Sequence, residues 1–253
     1  MKRTPIPRPR ADAPALRTVR LQGRSPVAER TMEFRFEKPA DMTFKAGHSM
    51  EVTLLSPPET DESGNTRTFS IASAPDDEEL AVVTRMRGSA FKRCLEKMPL
   101  GTDIQIEGPY GDFLLHHKID RPAVFLAGGI GITPFHSMVR QNALRRGLRR
   151  ILLFYSNRRP EDAPFLAEFR DIARSNPNFT FVPTMSQMDR SRLPWDGDVG
   201  RIEADLLQKY LGEGASPVYY IAGPPKMVAD LREMLVSSGV NEDDIRAEEF
   251  TGY

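Results

Sequence analysis

The sequence predicts two domains in tandem: an all-β N-terminal half, barrel or sandwich, and an α/β C-terminal half built on a doubly wound parallel sheet. Three observations carry this. The 253 residues suffice for roughly two domains of about 100–150 residues, each with its own core. The first half holds many short segments with strand-like alternation, separated by turn residues. Beyond residue 121 the pattern becomes continuous apolar runs separated by helical stretches, as in strands covered on both faces.

Residues 1–14 are expected to form a mobile, basic, Pro-rich tail. From Met1 to Arg24 there are seven basic residues and one acid, with Pro5, Pro7, Pro9 and Pro14 interposed, and such a stretch cannot bury a core. A partner-docking arm is the alternative. Strands are then predicted over 16–21, 31–37, 50–55, 68–71, 80–83 and 104–106. The clearest is Thr31-Met32-Glu33-Phe34-Arg35-Phe36-Glu37, which alternates with period two. Pro57-Pro58 and residues 59–65 form a loop, and a short helix is expected over 91–98.

The domain boundary is expected near 116–121, dividing 15–117 from 118–253. Buried strands follow at 124–127, 151–154, 179–182 and 218–221. Between and after them, Phe135, Met138, Val139 and Ala143 share a helical face. So do Phe165, Leu166, Phe169 and Ile172, then Ile202, Leu206 and Leu207, then Met227, Val228, Leu231 and Leu235. Gly239 stands where the last helix should stop.

Composition excludes several classes. Lys plus Arg and Asp plus Glu both number 35, so the total charge argues for neither nucleic acid nor an anionic membrane. No apolar stretch approaches the ~18 residues of a membrane span, and the leader lacks a secretory core, so a cytoplasmic protein is expected. Cys94 is the single cysteine; it makes neither an internal disulfide nor an iron–sulfur site, and no metal centre is expected.

Five segments carry candidate chemistry. Ala127-Gly128-Gly129-Ile130-Gly131-Ile132-Thr133-Pro134 follows a buried strand and opens a helix. Its amides and the helix dipole suit a pyrophosphate, and Pro134 fits the first turn. A tight turn with packing glycines is the plainer alternative. In Arg67-Thr68-Phe69-Ser70-Ile71-Ala72-Ser73, Arg67 can pair with a phosphate, Phe69 can stack on a flat ring and Ser70 can bond ring heteroatoms. The alternative is a plain strand with an exposed arginine. Arg87-Gly88-Ser89, before the short helix, suits a second phosphate or is a connecting turn. Gly223, Pro224 and Met227 lie in a strand-to-helix turn, where open α/β sheets bind ligands. The end, Glu248-Glu249-Phe250-Thr251-Gly252-Tyr253, sets two aromatics that either dock onto the body or cover a ring.

Taken in this order, these motifs resemble the ferredoxin–NADP⁺ reductase family over about residues 15–253. The family's flavin signature, R-x-[YF]-S-x-x-S, matches Arg67, Phe69, Ser70 and Ser73. Its G-G-x-G-x-T-P loop matches Gly128, Gly129, Gly131, Thr133 and Pro134, and Gly108-Pro109-Tyr110-Gly111 resembles its barrel-closing turn. The resemblance implies an antiparallel β-barrel for the first half, binding FAD, and NAD(P)H on the second. Hydride would pass from nicotinamide to flavin, and electrons would go on to a separate acceptor. That acceptor is expected to be a protein such as a ferredoxin, flavodoxin or oxygenase. Free flavin, ferric chelates or quinones are the alternative, as is a non-catalytic flavoprotein subunit.

The family's C-terminal Glu-x-aromatic fits Glu248-Glu249-Phe250. Phe250 is therefore expected over the flavin ring, with Tyr253 as second choice, and Ser70, Glu248 and Phe250 form the expected catalytic set. Three positions depart from the family: Ala222 replaces its cysteine, Phe69 its signature tyrosine, and Ala46-Gly47-His48 its Pro-Gly-Gln. His48 is expected to be structural. No acid follows the second α/β strand until Glu161; Arg158 and Arg159 stand there instead. The pair fits a 2′-phosphate, favouring NADPH over NADH, or belongs to a solvated loop.

Overall fold

The computed structural model describes residues 14–145, 147–212, 214 and 216–251. Most of the expected N-terminal tail and Tyr253 lie outside the described residues. The described residues build two six-stranded sheets.

The first sheet holds β1 (Ala15–Ala28), β2 (Thr31–Glu37), β3 (Ser49–Leu54), β4 (Thr66–Ser70), β5 (Glu79–Arg85) and β6 (Asp103–Tyr110). Their order is β4-β3-β6-β1-β2-β5, and every pairing is antiparallel. The sheet curls until its edges meet: just past β4, Ala72 N donates to Ala81 O of β5 at 2.8 Å, and Ala81 N donates to the Ser73 hydroxyl at 3.0 Å. Closure of this kind leaves few free strand edges. Alternating residues such as Phe34 and Phe36 of β2 and Val52 and Leu54 of β3 fill the interior. Helix α1 (Ala90–Lys97) adds Phe91, Cys94 and Leu95 to that core, so the lone cysteine is a packing residue.

The second sheet holds β7 (Ala123–Gly128), β8 (Ile151–Asn157), β9 (Phe179–Met185), β10 (Asp198–Val199), β11 (Val218–Gly223) and β12 (Ile245–Glu249). All pairings are parallel, in the order β10-β9-β8-β7-β11-β12. The helices are α2 (Ile132–Leu144), α3 (Leu166–Ser175), α4 (Ala204–Leu211) and α5 (Pro225–Ser237). Alternate residues of β7 point into two separate cores. Phe125 joins Phe135 of α2 and Phe169 of α3, whereas Val124 and Leu126 join Leu207 of α4 and Leu231 of α5. The sheet is therefore wound on both faces, and its order reverses between β7 and β11, the switch point where such sheets bind ligands.

The halves are bonded together. On α2, the His136 ring bonds the Ala72 carbonyl at 2.8 Å and Glu168 Oε2 of α3 at 2.8 Å, and its face stacks on Phe165 with centroids 3.6 Å apart. Ser137 donates to Ser73 O at 2.6 Å. Arg140 bridges Glu168 and Asp77 of the barrel, both at 2.8 Å. Burial alone would raise the Glu168 pKa, but the hydrogen bonds and charges of His136 and Arg140 outweigh it and hold the carboxyl at about 2. At Gly47, with φ 101°, a Cβ would collide with the Phe113 carbonyl and Met138 of α2, so only glycine allows that approach.

Between β6 and β7 the connection is pinned by buried polar groups. The Tyr220 hydroxyl of β11 accepts His116 N–H at 2.7 Å, and Arg149 donates to His116 O at 2.6 Å and Lys118 O at 2.9 Å. Burial, then the charge of Arg149, drive the His116 pKa down to about 4.

Candidate active site

At the carboxyl end of β7, Gly129–Gly131 forms one 3-10 turn and α2 follows directly. Gly129 has φ 51°. A Cβ on Gly128 would collide with Met227, and one on Gly131 with the Ala222 carbonyl of β11. The ends of β7 and β11 therefore touch backbone to backbone, and α2 starts directly after this contact. Pro134 is the third residue of α2, where a missing N–H costs no hydrogen bond. The Thr133 hydroxyl donates to Ile130 O at 3.1 Å and fastens the turn. A cavity of about 270 Å³ lies along this edge, lined by Gly128, Gly129, Asn157, Arg158, Pro224 and Met227, among others.

Strand β12 brings the C-terminal residues to the same edge. Glu248 pairs in register with Ala222 and Glu249 with Gly223, and Phe250 N donates to Gly223 O at 2.9 Å. The half-buried Phe250 packs on a cluster that holds Ala46 and Phe113 from the barrel side together with Phe135 and Ala222. Glu248 Oε2 is buried without a hydrogen-bond partner among the described residues. Burial, then the negative charge of Asp112 near the end of the barrel, push the Glu248 pKa up to about 7.

On the barrel, the Arg67 guanidinium lies over the Phe91 ring at 5.2 Å and pairs with Asp61 at 3.1 Å. Asp61 also accepts Ala90 N at 2.8 Å, at the start of α1. The Ala90 amide first, with Arg67 assisting, holds the Asp61 carboxyl below its usual range. The Asp61 carboxylate thus lies between Arg67 and the helix start. The Ser89 hydroxyl caps α1 through Lys92 N at 3.2 Å, and beside it Gly88 faces open space, as nothing lies within 4 Å of where its Cβ would be. Phe69 is half-buried, 5.9 Å from Phe91, and Ser70 is buried.

The structure thus gathers Gly129, Gly131, Gly223, Pro224, Met227, Glu248 and Phe250 on one edge, and Arg67, Ser89 and Gly88 around α1. Other expected site residues are used within the protein. Ile71 is core and its N–H donates to His48 O at 2.9 Å. The Ser73 hydroxyl sews β4 to β5. Arg159 pairs with Asp162 at 2.9 Å and Glu29 at 3.2 Å, leaving Arg158 exposed beside the glycine loop, with Arg87 exposed across the gap. The His48 ring accepts Lys45 N at 3.1 Å, a turn-holding role as expected. The sequence reading missed Asp61, Asp112 and Asn157. Both amide atoms of Asn157 are buried without a partner among the described residues. The rule that the residue ending the second α/β strand meets a bound nucleotide would have picked it out.

A glycine turn at the switch point of a parallel sheet, facing a barrel with its own anion-holding helix start, defines a two-domain nucleotide-binding protein of oxidoreductase type. The profile of the oxidoreductase NAD-binding domain matches residues 125–233. Ferredoxin–NADP reductase B of Sorangium cellulosum is 30% identical over 227 residues, covering 85% of this chain and 89% of that protein. The reductase component of propane 2-monooxygenase from Rhodococcus jostii is 31% identical over 227 residues, 85% of this chain and 57% of that protein. The crystal structure of the Amycolatopsis cytochrome P450 reductase GcoB superposes with a TM-score of 0.77 at 26% identity, covering 94% of this chain and 71% of that one. The chain belongs to the ferredoxin–NADP reductase family. It spans less than two thirds of the length of the monooxygenase reductase components it matches. Among the described residues no helix is long and apolar enough to cross a membrane.

Proposed function

We propose that this chain is an FAD-dependent oxidoreductase that takes a hydride from NAD(P)H and passes electrons to a separate protein acceptor. One observation supports this above the rest: the dinucleotide edge, the C-terminal Glu248–Phe250 segment and the barrel converge, with Phe250 packed on a core cluster to which both halves contribute and Glu248 within the field of Asp112. The residues fit a flavin dinucleotide, because Asp61 already occupies an anion position on Arg67 and the α1 amide. FAD, when bound, supplies the two-electron acceptor and one-electron donor chemistry that no side chain offers.

The rest of the work falls to the chain. Arg67 and the amides at the start of α1 would hold the pyrophosphate of FAD in place of Asp61, and Arg87, Gly88 and Ser89 border that position. Phe69 and Ser70 form the wall and polar edge of the ring site. The loop over Gly129 and Gly131 binds the coenzyme pyrophosphate, and Gly223, Pro224 and Met227 close the floor beneath it. Phe250 would shield the ring site from water and give way to nicotinamide. Glu248, half-buried and with its pKa pushed up to about 7, exchanges a proton close to physiological pH. Residues 15–117 serve the flavin and 118–253 the coenzyme. The names of similar proteins, reductase components of monooxygenases and a ferredoxin reductase, support a protein acceptor.

The test is to purify the chain with excess FAD, record its absorption spectrum, and titrate it anaerobically with NADPH and NADH. A yellow protein bleached by one of them is the expected result. A protein that stays colourless and binds no dinucleotide overturns the reading.

A further inference from the structure

The His136 ring lies on the seam between the halves, buried, in the second turn of α2. Its Nδ1 is 2.8 Å from the Ala72 carbonyl and its Nε2 is 2.8 Å from Glu168 Oε2. Neither oxygen can donate. Ala72 offers a main-chain carbonyl, which only accepts. The Arg140 guanidinium, 2.8 Å from Glu168 Oε1, keeps Glu168 ionised, so its Oε2 only accepts as well. A neutral imidazole carries a single N–H and would leave one of these two contacts without a hydrogen. Both ring nitrogens therefore donate, and the ring bears a positive charge.

The surroundings suit a cation. The Phe165 ring lies flat on the imidazole, with centroids 3.6 Å apart and planes 13° apart, and an aromatic face attracts positive charge. Phe165 holds φ 64°, a left-handed conformation that bulky residues rarely adopt, so backbone strain is kept at the very residue that covers His136. Charge then alternates along a line across the seam: His136, Glu168, Arg140 and, on the barrel, Asp77. Each sign has its opposite beside it, which offsets the cost of drawing these groups out of water.

The two bonds of the ring join the parts that serve the two cofactors. Ala72 comes two residues after Ser70, which ends β4, the strand that carries Phe69. Helix α2 follows the coenzyme loop Gly129–Gly131 without a break. Resting on the flavin and coenzyme sites proposed above, we propose that His136, as an imidazolium, is a positioning residue for hydride transfer: it fixes the flavin strand against the helix that carries the coenzyme loop, and so sets the separation of the two rings. A neutral side chain in its place leaves the Ala72 carbonyl or the Glu168 carboxylate unpaired at the seam and lets the two sides shift. The rate of transfer depends steeply on such a shift, whereas each half still binds its own cofactor.

Two measurements on the full chain loaded with FAD test this. The first is magnetic resonance of protein isotopically labelled at the histidine ring nitrogens, at neutral pH. The ring whose signals disappear in His136→Arg should show two N–H nitrogens; a ring with one overturns the proposal. The second is rapid-mixing reduction of the flavin by NADPH or NADH. His136→Gln should lower the limiting rate constant about tenfold or more while FAD and 5′-ADP bind as before. His136→Arg should keep most of the rate, because a guanidinium retains the charge and several donors and can also lie on Phe165. Glutamine and arginine variants that are reduced equally fast, or a rate that falls in step with cofactor affinity, overturn the positioning role while the two sites stand. If His136→Gln does not fold, Glu168→Gln, which leaves the ring in place, should show the same loss of rate at unchanged affinities, and an unchanged rate overturns the role. Intact protein that neither coenzyme reduces overturns the proposed function and the positioning role together.

Discussion

Replacing Glu248 with glutamine should stabilise the folded protein, and increasingly so as pH rises. The carboxyl is displaced from its ordinary 4.5 to about 7, first by burial and then by the charge of Asp112. That displacement corresponds to about 3 kcal/mol, at about 1.4 kcal/mol for each tenfold change in proton affinity. Because Glu248 is only half-buried, solvent screening reduces that to roughly 1–3 kcal/mol. The raised pKa means that the native state holds its proton more tightly than the unfolded chain. The native carboxyl's contribution is therefore fully present below about pH 4.5 and lost as pH rises through about 7. Glutamine mimics the protonated form at every pH. Urea unfolding of both proteins from about pH 5 to about pH 8 should give curves that nearly coincide in acid and separate by roughly 1–3 kcal/mol in base. A difference that is flat with pH, or a glutamine variant less stable at about pH 8, would refute the claim that this carboxyl is held in an ion-hostile site.

Four further outcomes are expected. Gly131→Ala forces a methyl against the Ala222 carbonyl, so it should cost about 1–3 kcal/mol in urea unfolding and weaken 5′-ADP binding by separating the two loops. Tyr220→Phe removes the hydroxyl that accepts His116 N–H and should cost about 1–3 kcal/mol, measured the same way. His116 itself, depressed to about 4, contributes stability above about pH 6.5 that is lost as pH falls towards 4, so His116→Gln should flatten that part of the acid-unfolding curve. Phe250→Ala opens the wall between the halves and should lower the KM for the reduced nicotinamide coenzyme several-fold and shift the visible flavin band; unchanged values for both would deny Phe250 a place on the ring.

Much of the fold was legible because its strands follow two periodicities. Strand β2 was read residue for residue, since Phe34 and Phe36 point into the barrel while Arg35 and Glu37 point out. The second half of β1 was missed for the opposite reason: ladder irregularities fall beside Gly23 and Pro26, and no alternation survives them. Strand β12 escaped because Ile245-Arg246-Ala247-Glu248-Glu249 is short and acidic, and its place is fixed by main-chain pairing with β11. Glycine loops announce themselves, as at Gly128–Gly131, because the need for bare backbone is written in residue type. The states of Asn157, Arg159 and Ser73 are not written there. Whether an amide, a guanidinium or a hydroxyl faces a ligand or a neighbour depends on Asp162, Glu29 and Ala81, which are distant in sequence or unremarkable in type.

The bonds that join α2 to the barrel have a mechanical consequence. Opening the gap would break His136 from Ala72, Ser137 from Ser73 and Arg140 from Asp77 at once, so the molecule is a slot with braced sides and has no jaw. Phe250, held by its main-chain bond to Gly223, lies outside those braces, so a shift of its ring would leave all three of them closed.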